Sequence, residues 1–257
     1  MIKPNVLREA QLIMLDMLIE FDAICRKHQL TYWLDSGSLL GAVRHQGFIP
    51  WDDDIDIAMP IEDYNRFLDI ANDELSNEIF LQTSQTDTDF KFDYAKLRSN
   101  KANIVEFHEK DKSINYHQGV FIDIFPMLTI ENSADNKNLY DNTLKEIRDV
   151  SAISLHTPNG KDDPAKRAVL IASLKQKHQG WEADKTNVIY GGEMPDVAAW
   201  FNIGKVFPLT TLAFEGHRFP VPNDPSHYLD AIYSFDYRQL PSEDKRIIHA
   251  HSIDIAQ

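Results

Sequence analysis

Residues 33–60 decide the fold, and they read WLDSGSLLGAVRHQGFIPWDDDIDIAMP. The first part of this stretch predicts a short strand, a tight turn over residues 35–38 and a helix over residues 39–45. In the second part, charged and apolar residues alternate over residues 54–59, which predicts a half-buried strand that Pro60 closes. The predicted order is therefore strand, turn, helix and strand.

The second of these strands carries an acidic cluster, because four of the five residues 52–56 are aspartates. A strand presents Asp54 and Asp56 on one face and Ile55 and Ile57 on the other. A solvated loop is the alternative for a charge run, but a loop would not alternate its charges with isoleucine. Two such carboxylates repel each other and need a shared cation to stay ionised, and oxygen ligands favour Mg²⁺ or Mn²⁺.

A calcium-binding EF-hand loop also places acidic residues at alternate positions, and Asp52, Asp54 and Asp56 match its first three ligands. The turn glycine of that loop would fall at Ile57, however, and its closing glutamate at Asp63. The sequence therefore argues against a calcium loop.

A further aspartate, Asp123, stands alone in the apolar run of residues 120–125. A carboxylate in so apolar a strand is costly unless it binds a metal or pairs with a cation, so a buried salt bridge is the alternative. Gly37 and Ser38 precede a helix N-terminus, which suits phosphate binding, although such a pair can be merely a turn. A Gly-Ser pair, an Asp-x-Asp pair and a later lone aspartate form the nucleotidyltransferase arrangement for phosphoryl transfer.

The whole pattern predicts an α/β (α+β) protein of the nucleotidyltransferase fold, with a mixed β-sheet flanked by helices, a helical insert and a C-terminal extension. Apolar residues at helical spacing predict a helix near the N-terminus. Further strands are expected at residues 92–98, 104–107 and 120–125, and a second helix at residues 61–72.

Residues 1–257 are expected to form a single domain, with a helical subdomain at about residues 132–200. Turn-forming residues at 156–160 predict a flexible connection within that part of the chain. Near the C-terminus, His249 and His251 show no zinc-site spacing and are interpreted as part of a polar tail.

Composition narrows the partners. The chain has 26 basic and 40 acidic side chains and a net charge of -14, which disfavours nucleic acid and anionic membranes. Charged residues interrupt the N-terminal apolar segment, so no membrane span is expected. Cys25 is the single cysteine and is interpreted as a core residue, which fits a reducing compartment and a cytoplasmic location.

Several segments together resemble the LicD family of proteins. The match is specific and is distributed over most of the chain, in residues 33–45, 47–56, 119–126, 214–216, 219–222 and 228–229. One departure concerns the segment before Leu240, where family members commonly carry a Tyr-Gly-Asp-Tyr-like sequence and this chain has YSFDY at residues 233–237. The pocket for the acceptor or the alcohol is expected to differ accordingly.

The resemblance implies a reaction class. LicD-like proteins are lipopolysaccharide or teichoic acid cholinephosphotransferases, which move phosphocholine from CDP-choline to a glycan hydroxyl, and fukutin-related relatives handle ribitol phosphate. For this chain it implies a CDP-alcohol donor, with CDP-choline favoured, a cell-surface glycan acceptor and release of CMP.

Roles follow for the acidic residues. Asp54 and Asp56 are expected to ligate the Mg²⁺ or Mn²⁺ that binds the donor diphosphate, and Asp123 to complete the coordination. Asp123 could also orient or deprotonate the incoming hydroxyl, although a metal that lowers the pKa of that hydroxyl makes a base unnecessary, so base or pure ligand is left open. These three aspartates are the expected catalytic and metal-binding set. The expected substrate-binding residues are Gly37, Ser38, Arg44, Trp51, Lys96 and Arg98.

The substrate-binding residues each have a plainer alternative. Lys96 and Arg98 share one face of a predicted strand and suit phosphate, or they are ordinary surface charge. Arg44 either caps its helix or touches the substrate, and its position in the family favours the substrate. Trp51 can bind a quaternary ammonium through its ring, or it belongs to the core.

Two other functions compete with phospho-alcohol transfer. A nucleotide-sugar glycosyltransferase also uses Asp-x-Asp to bind manganese, but it leaves Gly37, Ser38 and Asp123 without roles. A catalytically inactive nucleotide-binding or scaffold protein would not need intact carboxylates. The sequence leaves open the alcohol, the acceptor sugar, the metal, the oligomeric state and the roles of Asp52 and Asp53.

Overall fold

A computed structural model of the chain describes residues 2–151, 162–177, 185–233 and 236–255. The turn expected at residues 156–160 lies outside the described residues. The helices are α1 (Pro4–His28), α2 (Ser36–His45), α3 (Ile61–Glu74), α4 (Ala134–Asp149), α5 (Pro164–Lys177), α6 (Ile203–Val206) and α7 (Pro225–Ile232). The strands are β1 (Trp33–Leu34), β2 (Ile55–Pro60), β3 (Ile79–Gln82), β4 (Ala95–Glu106), β5 (Gly119–Ile130), β6 (Asn187–Tyr190), β7 (Phe201–Asn202), β8 (Thr210–Phe214), β9 (His217–Val221) and β10 (Ala250–Ile255).

The main sheet is mixed, as the sequence predicted. Its central order is β1-β2-β5-β4-β10, while β3 joins β4 and the β6-β7 pair joins β5. Strands β2 and β5 run parallel to each other, and the other pairs of this sheet are antiparallel. Strands β8 and β9 form a separate antiparallel hairpin.

Helix α1 covers the sheet with the apolar stripe that the sequence predicted. A proline in its first turn suits a helix start, because the first N–H groups have no partner within the helix. Gln29 ends the helix in a left-handed conformation with φ 54°. Its fully buried residues include Ala10, Met14, Leu18 and Phe21. Within the described residues, no helix combines the length and the apolar character that a bilayer crossing requires.

Strands β2 and β5 form the apolar centre of the molecule. Ile55 lies opposite Ile122, and Ile57 lies opposite Ile124, and all four side chains are fully buried. Because side chains alternate along a strand, the intervening residues Asp56 and Asp123 point to the opposite face. The acidic residues therefore lie on the sheet face opposite to these isoleucines, and β5 is buried on both of its faces.

Strand β4 corrects two sequence predictions. Residues 92–98 and 104–107 were expected to form separate strands, but the structure has one strand from Ala95 to Glu106. Its first half pairs with β3, its second half pairs with β10, and its register with β5 shifts between Arg98 and Asn103. Neighbours at both ends thus keep the polar middle of the segment extended.

The C-terminal segment is also different from the prediction. Residues 250–255 form β10, which pairs with β4 and buries Ala250 and Ile253. The interpretation of His249 and His251 as part of a polar tail is therefore wrong. Pairing with β4, more than any local pattern in the segment, makes these residues a strand.

Helix α2 begins earlier than expected. The tight turn predicted at residues 35–38 is instead the helix N-terminus, because α2 starts at Ser36 directly after Asp35. Ser36 has a φ of 42°, so the chain changes direction at this residue. The glycine and serine that follow belong to the first helical turn.

Residues 132–200, where a helical subdomain is predicted, contain α4, α5 and β6. A small hydrophobic cluster lies between these elements, and it includes Tyr140, Leu144, Ile147, Ile171, Leu174 and Ile189. Strand β6 pairs with the end of β5. The two helices are thereby attached to the main sheet.

Candidate active site

Three charged side chains form a row across neighbouring strands. Asp56 on β2 lies opposite Asp123 on β5, and Asp123 lies opposite Lys96 on β4. Directly paired residues share a face of the sheet, so the three side chains meet. Each of these residues was identified in a separate segment of the sequence, and strand pairing brings them together.

Asp54, just before β2, completes a group of three carboxylates. One oxygen each from Asp54, Asp56 and Asp123 lies within 4.8 Å of the others. Burial raises the pKa of Asp54, and the charges of Asp52 and Asp53 raise it further. Burial also raises the pKa of Asp56 well above its usual range, followed by the charges of Asp54 and Asp123.

This donor set fits a divalent cation. All three residues offer carboxylate oxygens, which are the ligands that Mg²⁺ and Mn²⁺ prefer. Burial is the largest cause of the raised pKa values of the Asp54 and Asp56 carboxylates, and the charges of neighbouring carboxylates add to it. A cation between them would favour the ionised forms.

Lys96 joins the cluster through Asp123. Its Nζ lies 2.9 Å from Oδ1 of Asp123, and both residues are buried. The ammonium also lies 3.3 Å from the centre of the Phe121 ring. Burial raises the pKa of Asp123, and the charge of Lys96 lowers it partly. The buried ion pair considered from the sequence is therefore present, in the same place as the three-carboxylate cluster.

The start of α2 contacts the cluster from the side of β2. Ser38 Oγ accepts a hydrogen bond of 2.9 Å from the backbone N–H of Asp56, and Gly37 N–H donates to Asp56 Oδ2 at 3.3 Å. A Cβ atom at Gly37 would lie 3.1 Å from an oxygen of Asp52 and 3.6 Å from an oxygen of Asp56. A side chain at this position would therefore crowd the carboxylates.

The structure places Arg98 beside Lys96 but gives it protein partners. Its guanidinium is buried and donates to Gln82 Oε1 and to the carbonyl oxygen of Gly119, both at 2.8 Å. It also lies 4.6 Å from the centre of the Phe121 ring. Lys96 is thus the cation that faces the carboxylates, and Arg98 holds the neighbouring backbone.

Arg44 and Trp51 lie on the other side of the acidic segment. Arg44 donates a hydrogen bond of 2.8 Å to the carbonyl oxygen of Tyr237, and burial lowers its pKa. The guanidinium of Arg246 lies 4.6 Å from the centre of a Trp51 ring. The His45 ring approaches Trp51 edge-on at 6.3 Å between ring centres.

Asp53 has a different environment from its neighbours. It is buried and accepts hydrogen bonds from the backbone N–H groups of His249, at 3.1 Å, and Ala250. Nδ1 of His249 lies 3.4 Å from Asp53, and this contact raises the histidine pKa to about 9. Asp53, Asp54 and His249 also form a group that could hold a metal, but the carboxylate of Asp53 already holds β10.

Asp52 stays with the metal side of the segment. Burial, followed by the charge of Asp53, raises the pKa of Asp52 to about 7. Its oxygens lie close to Gly37, next to those of Asp56.

Another group with metal-ligand chemistry contains Glu106, His108 and Glu109. Glu109 accepts a hydrogen bond of 2.6 Å from the hydroxyl of Tyr116 and one of 2.9 Å from the backbone N–H of Glu106. Protein donors therefore already bind both oxygens of this carboxylate.

Sequence reasoning missed Asp35 and Tyr233. Asp35 is fully buried, and its backbone N–H donates a hydrogen bond of 3.0 Å to the carbonyl oxygen of Asp56. Its carboxylate accepts a hydrogen bond of 2.8 Å from the hydroxyl of Tyr190. Burial raises the pKa of Asp35 to about 6. Burial also raises the pKa of Tyr233, and the charge of Asp56 is the next cause. Asp35 was part of the turn predicted at residues 35–38, and Tyr233 was noted only as the first residue of the YSFDY segment.

Comparison with known proteins agrees with this geometry. Residues 29–150 match the family model described as LicD/FKTN/FKRP, nucleotidyltransferase domain. Residues 29–150 therefore carry a domain of the LicD family. The LicD family resemblance and the nucleotidyltransferase fold predicted from the sequence are both confirmed.

Similar proteins extend the comparison beyond this domain. The lipopolysaccharide cholinephosphotransferase LicD of Haemophilus influenzae is 27% identical over 96% of this chain and 97% of its own length. The ribitol 5-phosphate transferases FKRP of mouse and human are each 59% identical over 12% of this chain and 6% of their own length.

The matched LicD domain contains the three aspartates and Lys96. It does not extend to Tyr190, Tyr233 or β10, which surround the same cluster from later parts of the chain. The later elements thus contribute to a site whose acidic residues all lie within the LicD domain.

Proposed function

We propose that this protein transfers a phospho-alcohol from a CDP-alcohol to a hydroxyl of a cell-surface glycan and releases CMP. Phosphocholine is the favoured phospho-alcohol. The observation that carries the proposal is the meeting of Asp54, Asp56 and Asp123 with Lys96 on one face of the sheet. Several fixed carboxylates and a nearby cation are what phosphoryl transfer requires, because the reaction depends on positioning and charge stabilisation.

Asp54, Asp56 and Asp123 would hold the divalent cation. When bound, that cation neutralises phosphate charge and lowers the pKa of the attacking hydroxyl. Lys96 contributes a second positive charge beside Asp123, where it can contact a phosphate oxygen of the donor. Gly37 leaves room for a phosphate to approach the start of α2, and Ser38 fixes the backbone of Asp56.

The transfer itself exchanges one phosphorus–oxygen bond for another. The acceptor oxygen bonds to the phosphorus that carries the alcohol, and the bond from that phosphorus to CMP breaks with its electrons on CMP. Asp123 accepts the hydrogen bond of the incoming hydroxyl and takes its proton as the new bond forms. Tyr233 and Arg44 both lie close enough to Asp52 for its charge to affect them, and there they can border the donor.

Choline is the favoured alcohol because the relative aligned over nearly the whole chain is a lipopolysaccharide cholinephosphotransferase. The same relative favours a lipopolysaccharide-type acceptor over a teichoic acid. Ribitol is a weaker candidate, because the ribitol 5-phosphate transferases match a short segment of this chain.

The decisive experiment measures CMP release from CDP-choline, CDP-ethanolamine and CDP-ribitol with Mg²⁺ or Mn²⁺ and a panel of glycan acceptors. We expect CMP release with CDP-choline and a divalent ion, and none after chelation with EDTA. An unchanged rate in EDTA would exclude the metal-dependent mechanism. Absence of CMP with every donor, together with turnover of a UDP-sugar, would replace the proposal by glycosyl transfer.

A further inference from the structure

We propose that a cavity beside the three-carboxylate cluster is the subsite for the trimethylammonium group of the donor. Phe92 and Tyr94 form its aromatic wall, and Glu193 supplies buried negative charge. This inference rests on the proposed function, because it assigns the part of the protein that recognises the alcohol.

The cavity lies between the start of β4, α5 and the segment after β6. Its volume is about 260 Å³, which is close to the lower end of the range for ligand pockets, roughly 300–1,000 Å³. The described residues that line it are mostly apolar or aromatic, and Phe92, Tyr94, Met194 and Val197 are among them. A trimethylammonium group needs such a wall because its methyl groups cannot donate hydrogen bonds.

The charge on the cavity lining suits a cation. Asp93, Glu193 and Asp196 contribute carboxylates, and Arg167 contributes one guanidinium. Arg167 is itself held by Asp93, at 2.9 Å, and Asp162, at 2.6 Å. With the partners Asp162 and Lys175 included, four carboxylates stand against two cations, and the surroundings of the cavity keep a net negative charge.

Glu193 has a more deeply buried side chain than Asp93. Its side chain is completely buried, and burial raises its pKa. Lys175 approaches one oxygen at 2.5 Å from the side of α5. A buried carboxylate is costly, and a cationic ligand in the cavity would reduce that cost.

The aromatic wall joins the cavity to the catalytic cluster. Lys96 Nζ lies 5.9 Å from the centre of the Phe92 ring and 5.7 Å from that of Tyr94. The same Nζ lies 2.9 Å from Asp123. A donor with its phosphate at Lys96 would therefore carry its alcohol group into contact with these two rings.

Other aromatic residues are less suitable, because protein groups already use them. Arg246 lies over Trp51, the candidate from the sequence, at 4.6 Å, and Arg238 lies over Tyr237 at 4.5 Å. The hydroxyl of Tyr116 donates to Glu109 at 2.6 Å. These guanidinium groups lie closer to their rings than Lys96 Nζ lies to Phe92, at 5.9 Å, or to Tyr94, at 5.7 Å, and they leave less of the ring face for a second cation.

The test compares affinities for CDP-choline and CDP by isothermal titration calorimetry in Mg²⁺. The dissociation constant of CDP divided by that of CDP-choline isolates the contribution of the choline group. We expect Phe92→Leu to reduce this ratio about tenfold, since a desolvated cation–π contact is worth roughly that factor. Phe80→Leu is the matched control. Phe80 lies on β3, its ring stacks on that of His117, and it does not line the cavity.

A second pair of variants tests the charge. We expect Glu193→Gln to reduce the same ratio, while the exposed Glu131→Gln leaves it unchanged. Thermal unfolding of each variant establishes that it is folded before its affinities are compared. A lower ratio in both cavity variants, together with the wild-type ratio in both controls, supports the subsite.

The outcomes separate this inference from the proposed function. If wild-type protein releases CMP from CDP-choline and prefers it to CDP, an unchanged preference in Phe92→Leu and Glu193→Gln overturns the subsite alone. If wild-type protein binds CDP-choline no better than CDP, a choline subsite is excluded, although transfer of another alcohol stands. If no CDP-alcohol yields CMP, the proposed function fails and this inference fails with it.

Discussion

Adjacent aspartates in the segment 52–56 have opposite environments. Asp53 faces β10, where two backbone N–H groups and His249 contact its carboxylate. Asp54 and Asp56 face Asp123, and other carboxylates raise the pKa of each of them. The comparison teaches that a buried carboxylate with protein donors holds the fold together, whereas buried carboxylates that face one another are arranged for a cation.

The largest expected effect is on the metal-facing side. We expect Asp56→Asn to reduce CMP release roughly a thousandfold, because losing a cation ligand removes several kcal/mol of transition-state stabilisation. The free energy of unfolding in EDTA should not fall, since the substitution relieves repulsion with Asp54 and Asp123. Enzyme assays and urea denaturation check the two parts, with the exposed Asp69→Asn as control. Activity near that of wild type would contradict the metal site.

Asp35 provides an intermediate case, because it is buried near the cluster but has hydroxyl partners. Its pKa in the folded protein is about 6, above the ordinary 3.8. The folded protein therefore binds this proton more tightly than the unfolded chain does. As pH rises from about 4 to about 6, the free energy of unfolding should fall by about 3 kcal/mol from this residue.

Asp35→Asn should remove that contribution, because asparagine does not ionise. Urea denaturation in EDTA at several pH values between 4 and 7 gives the difference between wild type and variant. We expect the wild type to lose more stability than the variant over this range. Parallel pH profiles for the two proteins would show that Asp35 does not titrate as its burial requires.

A smaller effect is expected on the β10 side of the comparison. Asp53→Asn weakens the hydrogen bonds to the N–H groups of His249 and Ala250, which should lower the free energy of unfolding by about 2 kcal/mol. The folded fraction should keep most of its CMP release, because Asp53 holds β10. A loss of activity as large as that of Asp56→Asn, without a loss of stability, would make Asp53 part of the metal site.

The smallest effect concerns His249. Contact with Asp53 raises its pKa to about 9 from an ordinary 6.5, so its ion pair contributes stability that is fully present below pH 6.5 and lost as pH rises through 9. The ring is largely exposed, so the contribution should be below about 1 kcal/mol. His249→Gln should flatten the stability profile between pH 7 and 9, and the exposed His227→Gln should not. Equal slopes in all three proteins would count against the ion pair.

Particular residues show how much of the site the sequence predicted. Asp54, Asp56 and Asp123 were identified from local patterns, and the structure places them together. The role of Asp53 was left open, and its contact with β10 depends on a segment 197 positions later in the chain. Lys96 was identified as a cation near phosphate, and its pairing with Asp123 needed the register of β4 against β5.

The sequence by itself determined what depends on neighbouring residues: the apolar stripe of α1, the alternation that makes β2 a strand, and the carboxylates along it. Tertiary structure decided the rest. It set Asp56 level with Asp123, recruited β10 to Asp53, and placed Phe92 and Tyr94 near Lys96. The physical reason is that side-chain periodicity is a local property of the backbone. Strand register and the spacing of distant segments, in contrast, depend on how the whole core packs.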